Sequence, residues 1–114
     1  MTDVDIPAIC ERYVSLVGDE DVDALVALFA DDATVEDPVG AEVRAGRDAL
    51  HAFFSTLPET GVSARLVGPV HHVGSEAAFP FVIDTAGFEM NVVDVMTFDE
   101  EGKITSMRAF WHMA

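Results

Sequence analysis

An aspartate stands inside an apolar pattern near the C-terminal end of the chain. Side chains alternate between the two faces of a β-strand, so residues 90–98 can be divided into two faces. The face that carries Asp94 also carries Met90, Val92, Met96 and Phe98. A carboxylate on such a face has a large desolvation cost unless it is paired or protonated. Desolvation favours the neutral acid, which can donate a hydrogen bond.

The pattern around Asp94 leaves structural explanations open. One explanation is that the carboxylate pairs with Arg65 or Arg108 from another strand, and a second is that this face of the sheet is open to water. Perturbed carboxylates in pockets are candidates for function, but structural ion pairs perturb a pKa as well. The alternation alone therefore does not decide between a functional and a structural aspartate.

Two further residues have types that suit proton-transfer chemistry. Tyr13 is the only tyrosine and lies in an apolar helical stripe, where a tyrosine is usually a core residue whose hydroxyl has found a partner. Asp37 precedes Pro38, which biases it toward an extended conformation, and alternation places it on the side of Val35. Taken singly, each residue is explained more simply by structure than by catalysis.

Helical periodicity in the first half of the chain predicts three helices that would position these residues. The first contains Tyr13, with Asp5 as its N-cap and Gly18 at its C-terminal stop. The second follows the cap Asp21, and its apolar face consists of Val22, Leu25, Val26 and Phe29. The third runs over roughly residues 47–57.

The second half of the chain predicts four strands, at residues ~62–72, ~76–86, ~88–98 and ~103–112. Turn signals separate them, and short neighbouring strands with tight turns pair antiparallel. Helices followed by a meander predict an α+β fold with the helices packed on one face of the sheet. We expect a single domain over residues 1–114.

Charge and composition exclude several classes of function. The formal net charge of −15 repels phosphate backbones and anionic membrane surfaces, which argues against nucleic acid and membranes as partners. No apolar run reaches the ~18 residues of a membrane span. The acidic N-terminus lacks a signal core and Cys10 is the only cysteine, so we expect a cytoplasmic protein without an internal disulfide.

No metal or cofactor is predicted. His71 and His72 are adjacent, so in a strand they point to opposite faces and cannot chelate one ion together. Neither His51 nor His112 forms a spaced ligand motif with them. Cys10 lies on the apolar stripe of the first helix, which is typical of an inert core thiol. The sequence has no glycine-rich phosphate loop.

The run from Leu25 to Gly40, LVALFADDATVEDPVG, resembles the signature stretch of the bacterial ketosteroid isomerases (steroid Δ-isomerases) nearly residue for residue. Residues 12–14 are similar to the family's first-helix tyrosine segment, and residues 106–109 to a late strand. The resemblance covers roughly the whole chain. It implies a cone-shaped α+β fold with three helices in the concavity of a curved, mostly antiparallel sheet, shared with nuclear-transport-factor-like and polyketide-cyclase-like proteins. It also implies a homodimer.

By position, the resemblance assigns Asp37 as the general base, and Tyr13 and Asp94 as two oxyanion donors. The family is itself the standard example of a carboxylic acid kept neutral so that it can donate. In the implied reaction, Asp37 takes a proton from a 3-oxo-Δ5 steroid and returns it further along the conjugated system. Tyr13 and Asp94 stabilise the dienolate in between, and no cofactor or metal is required.

The resemblance also has departures. Some family members have tyrosines that support the catalytic one, and here Phe29 and Phe54 stand near those positions. We expect the steroid pocket to be lined by apolar side chains, although ordinary core packing explains most of them more simply. The candidates are Phe53, Phe54, Leu57, Phe81, Phe88, Met90, Met96 and Trp111.

Other functions on the same fold remain open, because a fold does not determine function. One alternative is another enzyme, such as a polyketide cyclase or an epoxide hydrolase. The second is a steroid or lipid carrier without catalysis. An epoxide hydrolase should show an Asp–Arg–Asp constellation around a water, which the sequence does not assemble. A carrier has no reason to keep both a base and the donors, so the sequence favours the isomerase.

Overall fold

The computed structural model describes residues 4–56, 63–84 and 87–111, and these form three helices and seven strands. The helices are α1 (Ile6–Asp19), α2 (Val22–Ala27) and α3 (Arg47–Phe54). The strands of the first half are β1 (Phe29–Glu36) and β2 (Arg44–Ala45). Those of the second half are β3 (Ser63–Leu66), β4 (His71–Val73), β5 (Glu76–Asp84), β6 (Glu89–Phe98) and β7 (Ile104–Phe110).

The predicted N-caps of the first two helices are confirmed. The side chains of Asp5 and Asp21 each accept a hydrogen bond, at 3.1 Å, from the backbone N–H three residues later. Such caps satisfy N–H groups that have no partner within the helix. None of the described helices is long and apolar enough to cross a membrane.

The predicted stop of α1 at Gly18 is wrong. The helix continues to Asp19 and is closed by Glu20, which adopts a left-handed conformation with φ of 57°. Gly18 has a different role, because a Cβ at this position would lie 3.1 Å from the backbone nitrogen of Ala64. The glycine therefore allows β3 to approach α1 closely.

Phe29 belongs to a strand rather than to the apolar face of the second helix. Helix α2 ends at Ala27, and the carbonyl of Leu28 then accepts a hydrogen bond from the N–H of Ile104 at 3.0 Å. This bond draws the chain into pairing with β7. Helical spacing predicted a buried side chain at Phe29, and the side chain is fully buried, but it projects from β1 rather than from α2.

The strands form one sheet in the order β2-β1-β7-β6-β5-β3, with β4 also paired to β5. All pairs are antiparallel except β1 with β7, which is parallel. The region predicted as one strand over ~62–72 is two short strands, both paired with β5. The predicted arrangement, three helices on one face of a curved and mostly antiparallel sheet, is confirmed.

The third helix is shorter than its periodicity suggested, since it ends at Phe54. The hydroxyls of Ser55 and Thr56 donate at 2.7 Å to the carbonyls of His51 and Phe53. These bonds satisfy carbonyls that a longer helix would have used. Leu57 lies outside the described residues.

Candidate active site

A pocket of about 250 Å³ lies between the helices and the inner face of the sheet. Its lining consists of Tyr13, Val17, Asp37, Phe53, Phe54, Thr56, Phe81, Ile83, Met90, Val92 and Trp111. Five of the predicted pocket residues are among them: Phe53, Phe54, Phe81, Met90 and Trp111. The lining is therefore largely apolar with few polar groups, which is typical of a small-molecule site.

Two predicted pocket residues lie elsewhere, and the sequence missed several that do line it. Met96 is fully buried in the core, and Phe88 is 52% exposed ahead of β6. Neither lines the pocket. Alternation along β6 shows which face of the sheet a side chain is on, but not whether it reaches the pocket or the core beyond it. The lining residues not predicted are Val17, Thr56, Ile83 and Val92. Val17 belongs to α1, where apolar spacing did not separate pocket from core, and Thr56 lies in the turn after α3.

Asp37 follows β1, and the side chain of Glu36 fixes the turn that holds it. Glu36 accepts hydrogen bonds from the backbone N–H of Gly40 at 2.9 Å and from the guanidinium of Arg108 at 3.0 Å. These two donors hold the pKa of Glu36 below its usual value. The N–H of Val39 donates to a carbonyl of β7 at 2.8 Å. The turn is therefore tied to the neighbouring strand on both sides of Asp37.

The carboxylate of Asp37 is partly buried and has one strong partner. Trp111 Nε1 donates a hydrogen bond to Asp37 Oδ1 at 2.5 Å. Burial raises the pKa of Asp37, whereas the bond from Trp111 and the positive charge of Arg44 oppose that rise. A base whose pKa lies above that of a free aspartate is better matched to proton transfer near neutral pH.

Tyr13 lines the pocket although its side chain is almost wholly enclosed by aromatic rings. It makes edge-on contacts with the rings of Phe29, Phe54, Phe79 and Phe81, at centroid distances of 6.3–6.5 Å. Burial, followed by the negative charges of Asp94 and Asp37, raises the pKa of Tyr13 well above its usual value. The hydroxyl is thus kept protonated and able to donate.

Asp94 is the one buried charged residue of the described core, and its side chain is 1% exposed. Burial, followed by the negative charge of Asp37, raises the pKa of Asp94 well above its usual value. A hydrogen bond with the Tyr13 hydroxyl lowers the pKa by less. The contact falls short of full hydrogen-bond geometry, since neither oxygen of Asp94 has such a partner among the described residues. Burial therefore favours the neutral form of this carboxyl, which lies beside Tyr13.

The structural explanations considered for Asp94 are wrong. Arg65 pairs with Asp84 at 3.6 Å and with Glu89 at 3.2 Å, and Arg108 pairs with Glu36. Both arginines are about half exposed and face away from Asp94. The face that carries Asp94 is packed rather than open to water. Within residues 4–56, 63–84 and 87–111, no positive group pairs with this carboxylate, so protonation is the remaining way to bury it.

Asp94 does not itself line the pocket, because its two oxygens are completely covered. From β6, behind the pocket wall, it raises the pKa of Tyr13, and its own pKa is raised in part by the charge of Asp37. The three residues predicted from the sequence thus lie in one electrostatic cluster. Their roles in catalysis stay predictions.

The polar residues set aside in the sequence form no second site of this kind. Among residues 4–56, 63–84 and 87–111, no group of three or more His, Cys, Asp or Glu side chains is placed to hold a metal ion. Cys10 is buried and its pKa is raised to about 12, chiefly by burial. His112 lies outside the described residues.

The fold and this pocket define a member of the SnoaL-like domain family, and the chain belongs to it, with residues 10–107 matching the family model. It is 46% identical over 111 residues to a steroid Delta-isomerase of Nocardioides simplex, an alignment that covers 94% of this chain and 89% of that relative. The similarity to steroid isomerases inferred from residues 25–40 is thereby confirmed.

A solved structure of the same fold comes from polyether biosynthesis. The epoxide hydrolase/cyclase-like enzyme SalBIII, with a role in pyran ring formation in salinomycin, superposes with a TM-score of 0.84 at 35% identity. The match covers 93% of this chain and 89% of SalBIII. The fold is therefore common to relatives with different chemistry, so the reaction must be argued from the pocket.

Proposed function

We propose that this protein is a steroid Δ5–Δ4 isomerase, which converts 3-oxo-Δ5 steroids to conjugated 3-oxo-Δ4 steroids. The observation that carries the proposal is the cluster around the pocket. An exposed edge of the Asp37 carboxylate meets an apolar cavity, and Tyr13 and the neutral Asp94 stand together at its wall. The 46% identical steroid Delta-isomerase supports the same reaction.

The steroid enters with its carbonyl oxygen toward the hydroxyl of Tyr13, which donates a hydrogen bond to it. Asp37 removes a proton from the carbon between the carbonyl and the double bond. The electrons of that C–H bond move into the conjugated system, and negative charge collects on the carbonyl oxygen as a dienolate. Asp37, now protonated, returns the proton at the far end of the former double bond.

The dienolate is stabilised by donors that are already in position. Tyr13 donates to the oxygen, and its ring is immobilised by the four phenylalanines around it. Asp94 lies beside Tyr13, burial favours its neutral form, and in the proposed reaction it is the second donor to this oxygen. Donors held in a dry site need no reorganisation during the reaction.

The test is to mix the purified protein with 5-androstene-3,17-dione and to follow the absorbance of the conjugated enone. The proposal expects the absorbance to rise with a rate proportional to the protein concentration. Binding of the steroid without any enone formation would favour the non-catalytic carrier instead.

The similarity to SalBIII favours one alternative, an epoxide hydrolase or cyclase on the same fold. Such chemistry needs an acid that protonates the epoxide oxygen and a base that activates water or a hydroxyl. Asp94 and Asp37 have the pKa shifts of such an acid and such a base, so an assay with both substrates is needed to separate the reactions. Assaying a polyether-type epoxide beside the steroid distinguishes the two reactions, and turnover of the epoxide alone would overturn the isomerase.

A further inference from the structure

Arg44 differs from three of the other four arginines of this strongly acidic chain. Arg47, Arg65 and Arg108 each form an ion pair with a carboxylate. Arg44 forms none within the described part of the chain, although Asp and Glu outnumber Lys and Arg by 21 to 6. Its guanidinium instead lies 4.9 Å from the centroid of the Phe53 ring. Arg12 also has no ion pair among the described residues, but it is exposed on α1, whereas Arg44 is partly buried against an aromatic ring.

Strand register brings Arg44 to the side of the sheet on which the base lies. Arg44 on β2 is the antiparallel partner of Val35 on β1. Side chains directly opposite each other in such a pair share one face. Val35 is fully buried on the inner face, and Asp37 is two residues further along. Arg44 therefore faces the inner side, next to the end of the pocket where Asp37 stands.

The guanidinium is held in this place by two contacts. Its Cζ lies over the ring of Phe53, a pocket-lining residue of α3, and Nη1 donates to the carbonyl of Glu42 at 3.3 Å. A guanidinium stacks on an aromatic face in a way that an ammonium does not reproduce. Arg44 thus connects β2 to the helix that forms one wall of the pocket.

The polar and charged groups near Asp37 come from a few elements of the fold. Asp94 on β6 contributes a carboxyl, Tyr13 on α1 a hydroxyl, and Trp111 after β7 a neutral N–H donor. The pocket-lining residues of α3 and β5 are uncharged. Among the described residues, Arg44 supplies the positive charge that acts on Asp37. This positive charge lowers the pKa of Asp37, whereas burial raises it and favours the protonated form, which cannot act as a base.

We propose that Arg44 is a positioning residue of this site: its guanidinium, stacked on Phe53, fixes one wall of the pocket and keeps a positive charge beside Asp37 so that the base stays ionised. The kinetic consequence rests on the proposed isomerase function. The effect on the ionisation of Asp37 does not, because it concerns the free protein.

Two substitutions separate the charge from the stacking. Arg44→Gln removes both, whereas Arg44→Lys keeps the charge and loses the planar contact. In steroid turnover, we expect Arg44→Gln to move the acid limb of kcat/KM to higher pH, with a loss of up to about tenfold on that limb and a smaller loss at the plateau. Arg44→Lys should keep the acid limb near its wild-type position and raise KM. A loss that is uniform at every pH in both variants would overturn the role in ionisation.

Arg12→Gln is the matched control. Arg12 is exposed on α1, has no ion pair among the described residues, and its replacement changes the net charge by the same single unit. The acid limb of this variant should coincide with that of the wild type. An equal displacement in Arg12→Gln and Arg44→Gln would mean that net charge alone is responsible, and would overturn the proposal.

The closing experiment is a titration of the Asp37 carboxyl itself, followed by 13C NMR in ligand-free protein labelled at the aspartate carboxyls. The Asp37 resonance is assigned by its loss in Asp37→Asn. We expect its midpoint to rise by up to about one pH unit in Arg44→Gln, and to stay in place in Arg44→Lys and Arg12→Gln. An unchanged midpoint in Arg44→Gln would overturn the proposal. Because no turnover is measured, a protein inactive on steroids would sink the proposed function and leave this result standing on its own.

Discussion

The indole N–H of Trp111 donates to Asp37 Oδ1 at 2.5 Å, joining the residue after β7 to the turn after β1. These two strands are parallel, with Glu36 opposite Arg108, so their ends lie side by side. The bond occupies one oxygen of the carboxylate and leaves the other for a substrate proton. Parallel pairing of β1 with β7 is thus what gives the base its orientation.

Trp111→Phe should weaken the base more at acid pH than at neutral pH. The bond stabilises the ionised carboxylate, so its removal raises the pKa of Asp37. A hydrogen bond to a charged group contributes ~1.5–3 kcal/mol, so we expect the acid limb of kcat/KM to move up by about one pH unit. The measurement is a pH–rate profile. An acid limb in its wild-type position would show that the indole N–H does not act on the base.

Two substitutions of Asp94 test its role as a donor, because one keeps a hydrogen-bond donor and the other removes it. Asp94→Asn keeps a hydrogen-bond donor, so turnover should fall only mildly. Asp94→Ala removes the donor and should cost on the order of 10²–10³-fold in kcat, as for other single oxyanion donors. Both rates are corrected for the folded fraction, measured by chemical denaturation. If both variants keep wild-type activity per folded molecule, Asp94 has no part in oxyanion stabilisation.

The burial of Asp94 also predicts how stability depends on pH. Its pKa is raised in the folded state, so the folded state holds a proton that the unfolded state releases above its ordinary pKa of 3.8. The free energy of unfolding should therefore fall as pH rises through this window, by up to about 1.4 kcal/mol per pH unit from this group. Asp94→Asn should remove that component, which urea denaturation at several pH values would measure. Parallel stability curves for the two proteins would contradict a raised pKa.

The burial of Asp94 on an apolar face could be predicted from the sequence alone. Asp94 was visible because a two-residue alternation has only one polar member, and burial on β6 follows directly from that pattern. Phe29 was assigned to the second helix because a single buried apolar residue fits the end of a helix face and the start of a strand equally well. The parallel pair β1–β7 could not be predicted from turns, since it joins segments about 70 residues apart. The contact of Trp111 with Asp37 depends on that pair.

The contacts of Arg44 could not be predicted from the sequence either. The residue lies in a two-residue strand without periodicity of its own, and its neighbours in space come from β1 and α3. Tyr13 and Asp37 were named for their roles only through the resemblance of residues 25–40 and 12–14 to a family. Their individual patterns favoured structural explanations, because core tyrosines and aspartates before proline are common.

The outer face of the sheet supports the predicted homodimer. Val93 and Phe110 are paired across β6 and β7, and they are 40% and 44% exposed. Pairing of two copies by twofold symmetry is the commonest way to cover such a surface. Light scattering should give the dimer mass at micromolar concentration, and Phe110→Glu should shift it toward the monomer, whereas Val73→Glu on β4 should not. A monomer mass for the wild type would contradict the dimer.

The role of Asp37 as the base is tested by Asp37→Asn, with turnover of 5-androstene-3,17-dione and affinity for equilenin measured on the same preparation. The amide keeps the shape of the side chain but cannot accept the substrate proton. We expect turnover to fall by about 10²–10⁴-fold while equilenin binding stays close to that of the wild type, and the exposed control Asp32→Asn to change neither. Near-normal turnover in Asp37→Asn would mean that another group carries the proton and that Asp37 is not the base.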